Sequence, residues 1–199
     1  MTVFLGCEQQ PKKELTSLNI VRIGTSGSLQ KDIPVDSFLM SQFAIGFDGL
    51  LHFYKNDLNE HHELEDAFIA HTAWSSAKAR PYVVEFDKDL GAHFIENHIR
   101  LGITATNTGF YGPQGRLLRL PPSDHKFAST LASFTYENKC ITNLEMETSG
   151  IYALSKLLGH QAVSLNCILA NRVTGEFSEN PSKSVEALIS FALQKLSST

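Results

Sequence analysis

The chain lacks the residues that would staple a small extracellular fold or build a nucleic-acid surface. Three cysteines, Cys7, Cys140 and Cys167, are spread over 199 residues. They are odd in number and show no paired spacing, which suits reduced thiols in a cytosol better than a disulfide framework. Lys and Arg total 17 against 21 Asp and Glu, a formal net charge of −4. No basic stripe appears, so nucleic acid is not expected as a main partner. No stretch approaches the roughly 20 apolar residues of a membrane span. The opening "MTVFLGCEQQ" imitates a lipoprotein box ending at Cys7. It has no basic n-region, and it is too short for the roughly 7–15 apolar residues of an h-region. These absences lead to the expectation of a soluble, cytoplasmic protein without a membrane partner. Internal repeats and low-complexity runs are also missing.

What is present is a globular balance, 42% hydrophobic and 19% charged, enough for one domain over 1–199 with a sizeable core. "SLNIVRIGTSGSLQ" (17–30) is an apolar run that breaks at Gly24-Thr25-Ser26-Gly27, the strand-to-loop transition where α/β sheets bind ligands. Residues 35–54 are aromatic and β-leaning, with turn points at Gly46 and Gly49. Residues 55–80 are polar and irregular and read as a surface loop.

From 87 onward helices and strands alternate. Asp87 is positioned to cap a helix over 87–100, and a strand follows over 101–111. A helix is expected around 124–137, a strand over 140–147 and a helix over 148–160 with Gly159 at its C-terminus. A strand over 162–171 and an amphipathic helix over 182–196 complete the pattern. The class is α/β with a largely parallel or mixed sheet.

Four segments at strand ends carry polar residues that a core does not require. Arg22 precedes Gly24-Thr25-Ser26-Gly27. A forked cation beside a glycine loop suits phosphate, and pairing with a glutamate explains it equally well. "GFYGPQGR" places Gln114 and Arg116 two apart on a turn. An amide that donates and accepts beside a guanidinium that only donates matches a ring N–H between carbonyls, as in a pyrimidine; a solvated turn is the alternative. In "NLEMETSG", an extended chain would put Glu145 and Glu147 on one face and Met146 on the other. Such carboxylates can accept the two hydroxyls of a sugar diol, or simply face water. "ILANRVTGE" breaks an apolar strand at Asn171-Arg172 and either walls a pocket or ends a strand. His61-His62-Glu63 has no zinc-site spacing, so no metal is expected.

Taken in order and spacing, "RIGTSGSLQ", "GFYGPQGR", "NLEMETSGIYALSKLLGH" and "ILANR" resemble the uridine phosphorylases of the nucleoside phosphorylase family, from about Ser17 to Leu196. The resemblance implies a phosphorylase/hydrolase-like α/β fold, a central mixed sheet flanked by helices, assembled as dimers or hexamers. It also implies uridine as substrate, with inorganic phosphate as co-substrate and no other cofactor. Residue by residue, Arg22 and Thr25 match phosphate ligands, and Ser26 and Gly27 match residues at the base and sugar. Gln114 and Arg116 match the uracil-reading pair, Leu169 and Ala170 match apolar neighbours of the base, and Arg172 supports the base site. Glu145, Met146 and Glu147 match the ribose-binding segment, with Glu147 as diol acceptor. Arg22 and Arg116 are the catalytic pair in this correspondence.

Purine-directed relatives carry an acid where this chain has Asn171, which favours a pyrimidine. The family's first segment bears a phosphate-binding glycine-aspartate-proline loop, and "MTVFLGCEQQPKK" does not resemble it. The expectation is therefore a member lacking the N-terminal strands. Two alternatives accompany phosphorolysis: a non-catalytic remnant of the family, and a nucleoside hydrolase.

Overall fold

A computed structural model describes residues 14–55, 58 and 60–197; Cys7 lies outside them. In chain order these residues form strands β1 (Asn19–Ser28) and β2 (Phe38–Gly46), helix α1 (His62–Thr72), strand β3 (Tyr82–Glu85), helix α2 (Lys88–Ala92) and strand β4 (Ile99–Thr106). There follow helix α3 (Phe127–Ser133), strands β5 (Thr135–Tyr136) and β6 (Lys139–Glu145), helix α4 (Thr148–Leu157), strand β7 (Gln161–Asn171) and helix α5 (Pro181–Ser197).

The strands make one mixed sheet in the order β1-β7-β2-β4-β6-β5, with β3 beside β2. β1–β7, β2–β4 and β4–β6 are parallel, while β2–β7 is antiparallel. The sheet also closes on itself: β1 reaches back to β6 through Gly27↔Leu144 and Ser28↔Asn143. Register shifts at Ser26/Gly27, Ser41/Phe43 and Ile103/Thr104 supply the curvature that closure needs. One apolar layer outside the ring packs α2, α4 and α5 around Phe94, Tyr152 and Leu188. A second packs α1 and α3 around Phe68, Phe127 and Leu131.

The alternation expected after residue 87 is present, and several expectations need correction. The strand expected to break into a loop at Gly24-Thr25-Ser26-Gly27 runs on as β1 to Ser28, paired with β7 throughout and with a register shift at Ser26/Gly27 in place of a loop. The strand expected over 101–111 is β4, which ends at Thr106. Residues 62–72 are the helix α1, whose narrow apolar face, Leu64 and Phe68, is fully buried. Asp87 does cap α2 by accepting from the Leu90 amide at 2.8 Å, but that helix ends at Ala92. The helix expected to reach 137 stops at Ser133, where Phe134 turns extended and buries its ring. Beyond it β5 and β6 form a hairpin through Glu137 and Asn138, both at positive φ, the two-residue turn that matches strand twist.

Candidate active site

Arg22 points from β1 into the closed end of the ring. Its Nη1 donates to Ser164 Oγ at 3.2 Å and Asn166 Oδ1 at 3.1 Å, both on neighbouring β7. Its Nη2 donates to Glu147 Oε2 at 2.5 Å and lies 3.4 Å from Glu145 Oε2. The guanidinium lies directly over Gly24; a Cβ there would sit 2.3 Å from Nη1. Glycine two residues on is thus what allows Arg22 to fold along its own strand.

The two glutamates separate into different roles. Glu145 ends β6 and is 4% exposed. Its Oε1 accepts from Thr106 Oγ1 at 2.6 Å, and its Oε2 accepts from the Glu147 amide at 2.9 Å and from the amide and hydroxyl of Thr148, both at 2.8 Å. A buried carboxylate with this many donors beside a guanidinium is a fixed anchor that caps the N-terminus of α4. Glu147 is half exposed and turned onto Arg22. The extended stretch expected to align the pair ends at Glu145, because Glu147 already sits at the N-cap of α4. Both carboxylates meet Arg22 through that turn rather than through strand alternation. Met146 is 40% exposed between them.

Across from these, a 3-10 turn at Gly112–Gln114 leads into Gly115 at φ +72°. Gln114 is buried, and its Oε1 accepts from Arg116 Nη1 at 2.5 Å. Arg116 also donates to the Phe110 carbonyl at 2.6 Å and stacks on the Phe110 ring at 3.8 Å. Arg172 donates through Nη2 to the Gln114 carbonyl at 2.7 Å, while its buried Nη1 has no partner. Burial holds Arg116 below the usual guanidinium range, and burial together with the Arg116 charge does the same to Arg172. Two desolvated cations and one unpaired N–H favour an electron-rich ligand atom here.

One open cavity of about 580 Å³ joins the two sides. All twelve residues singled out from the sequence line it: Arg22, Thr25, Ser26, Gly27, Gln114, Arg116, Glu145, Met146, Glu147, Leu169, Ala170 and Arg172. Gly24, Phe110, Leu144 and Phe177 complete the lining; Gly24, Phe110 and Leu144 fall within the sequence motifs used for Arg22, Gln114 and the glutamates, and Phe177 falls outside them. Thr25 is exposed on the rim, and Ser26 accepts from Asn143 Nδ2 at 2.9 Å.

Asn171 does not line the cavity. Its Nδ2 donates to the Gln30 and Ile33 carbonyls at 2.8 and 2.9 Å, and its Oδ1 accepts from the Val173 and Thr174 amides. Its side chain holds two loops together and makes no contact with the cavity, unlike the base-facing position expected from the sequence.

Sequence reasoning missed the polar interior of the ring. Asn166 donates to Ser41, Ser41 pairs with Thr104 at 2.5 Å, Thr104 donates to Asn143 at 2.8 Å, and Asn143 donates to Ser26. Ser41, Thr104, Asn143, Ser164 and Asn166 are all fully buried. Five strands thereby fix the orientation of Arg22 and Ser26 through a connected hydrogen-bond network. The available signal was the pair Ser164/Asn166, two apart in an otherwise apolar strand.

A closed mixed sheet with an arginine-carboxylate pair facing an arginine-amide pair across one cavity makes this an α/β protein with a polar pocket at the closed end of the sheet. The family model described as "Phosphorylase superfamily" matches residues 7–197, and the chain belongs to that family. The match begins earlier than the resemblance from about Ser17. Among curated proteins the chain is 26% identical to a uridine phosphorylase of Thermococcus kodakarensis over 178 residues, covering 88% of this chain and 57% of the relative.

The solved nucleoside phosphorylase of Trypanosoma brucei that shows uridine phosphorylase activity is similar in fold, with a TM-score of 0.76 and 24% identity over 91% of this chain and 64% of that one. An apo uridine phosphorylase isoform 2 of Schistosoma mansoni gives a TM-score of 0.61 with 20% identity, covering 92% of this chain and 58% of that one. The chain therefore spans less than two thirds of the length of these relatives. Among the described residues, no helix is long and apolar enough to cross a membrane, and no group of three or more His, Cys, Asp or Glu is placed to hold a metal ion.

Proposed function

We propose that this protein catalyses phosphorolysis of uridine to uracil and ribose 1-phosphate, a step of cytoplasmic pyrimidine salvage. The observation that carries the reading is a single cavity bringing Arg22, Thr25 and Glu147 opposite Gln114, Arg116 and Arg172. Phosphate sits against Arg22 and Thr25, and the ribose diol donates to Glu147. Uracil lies between the Gln114–Arg116 pair and the apolar wall of Leu169, Ala170 and Phe110. A phosphate oxygen attacks C1′ as the C1′–N1 bond breaks, and the bonding pair leaves on the base. Arg116 and the Gln114 amide NH₂ stabilise that charge at the carbonyl oxygens. Gln114 Oε1, which accepts from Arg116, also becomes the acceptor for N3–H. The protein works as a homo-oligomer, a dimer or hexamer.

Replacing Arg116 with alanine should lower uridine turnover at least a hundredfold, as for loss of one charge-stabilising donor (~10²–10³). Unchanged turnover in that variant would remove the pyrimidine assignment. The ion pair between Arg22 and Glu147 favours one second reading, a nucleoside-binding protein without turnover. Calorimetric uridine binding with no uracil release under any phosphate concentration would establish that role instead.

A further inference from the structure

A second cavity, of about 470 Å³, lies behind the turn that carries Gln114 and Arg116 and has no lining residue in common with the first. Phe47, Trp74 and Phe127 make its apolar walls, with ring centroids 4.9 Å apart for Phe47–Trp74 and 6.1 Å apart for Trp74–Phe127. Asn107 also lines it and is 3% exposed. The Asn107 Oδ1 is buried and receives no hydrogen bond, while its Nδ2 has a long 3.3 Å contact with the Ala105 carbonyl. Trp74 cannot satisfy that oxygen, because its own Nε1 donates to the Ala79 carbonyl at 2.9 Å.

We propose that this cavity is a second small-molecule site, taking a planar heteroaromatic ring that bears an N–H donor. A buried amide oxygen without a donor is costly, and a ligand N–H is the group that relieves it. Aromatic walls select a flat ring, and the volume falls within the roughly 300–1,000 Å³ of small-molecule pockets. Exposed Lys78 covers the mouth, its Nζ 4.7 Å from the Trp74 centroid and 5.3 Å from that of Phe127. A surface lysine held only by ring faces is readily displaced by an entering ring. Because Gly112 and Pro113 form part of the wall, an occupant touches the back of the turn that holds Gln114.

Trp74 is the single tryptophan of the chain, so its fluorescence reports on this cavity alone. The probes are benzimidazole in its neutral form and benzoxazole, which has the same shape with an oxygen in place of the N–H. Benzimidazole should change Trp74 emission saturably and bind roughly tenfold tighter than benzoxazole, the difference expected for one buried unsatisfied acceptor. In Asn107→Leu that preference should vanish. Amide NMR shifts should cluster at residues 107–113 and 121–127. Equal affinities for the two probes in the wild-type protein, no saturable response, or shifts confined to Gly24–Gly27 would each overturn the site. The wild-type comparison stands even if the leucine variant does not fold.

Discussion

Arg22 and Glu147, the groups proposed for phosphate and for the ribose diol, are hydrogen-bonded to each other at 2.5 Å. Each side chain thus fills the hydrogen-bonding position that the other's proposed ligand would take. Whichever ligand binds first breaks the pair and leaves the remaining group available, so phosphate and nucleoside should bind synergistically.

The first prediction follows for Glu147→Gln. Glu147 is half exposed, and exposed pairs are worth up to about 1 kcal/mol. Phosphate affinity measured by calorimetry should rise up to about fivefold, while uridine affinity falls. Weaker phosphate binding in the variant would mean that Glu147 aims Arg22 rather than blocking it.

Glu145→Gln should behave differently although the two glutamates are one residue apart. An amide replaces a buried carboxylate that accepts from Thr106, Thr148 and the Glu147 amide. Breaking a buried, charge-assisted network of this kind costs about 3–5 kcal/mol. Urea unfolding should show that loss, whereas Glu147→Gln should stay within about 1 kcal/mol of the wild-type protein. Similar stabilities for the two variants would contradict the assignment of Glu145 as an anchor.

Gly24→Ala tests the placement of Arg22 without removing it. The new Cβ would sit 2.3 Å from the guanidinium, a flexible side-chain end rather than backbone. The fold should survive while Arg22 is pushed aside. Stability should fall, because Arg22 gives up its bonds to Ser164 and Asn166 and its place beside Glu145, and kcat/KM should fall about a hundredfold, the usual effect of a misplacement near 1 Å. A fully active variant would show that Arg22 need not hold this position.

His61 predicts a pH dependence of stability. Its ring packs edge-on against Phe43 at 5.2 Å, and burial lowers its pKa below the ordinary 6.5, with Glu85 and Glu60 opposing and Lys156 and Lys88 adding to the shift. The unfolded chain therefore binds the proton more tightly than the folded one. This contribution is fully present above pH 6.5 and is lost as pH falls from there through the folded value. Denaturant midpoints of His61→Gln should decline less than those of the wild-type protein over that window. Parallel declines would assign the effect to other groups.

Much of the site was legible because a core has no use for arginine, glutamine or paired glutamates, although Arg22, Thr25 and Ser26 lie within β1 and not in a loop after it. The alternation after Asp87 was legible for a similar reason: each apolar run is bounded by glycine or polar residues. Helix α1 was hidden because Leu64 and Phe68 are a narrow buried stripe within "HHELEDAFIAHT". The hairpin at Glu137-Asn138 was read as helix because Phe134 and Tyr136 continue the apolar pattern of α3. Closure of the ring was beyond sequence reading, since it rests on two residue pairs between β1 and β6. The interior network from Ser41 to Asn143 escaped notice because single Ser and Thr residues in strands look like solvent-facing positions until closure turns them inward.

The most direct test is uracil release from uridine by the purified protein, measured with and without inorganic phosphate. Release that requires phosphate and yields ribose 1-phosphate is the predicted result. Release at the same rate in phosphate-free buffer, giving free ribose, would contradict phosphorolysis and make the cavity that of a hydrolase.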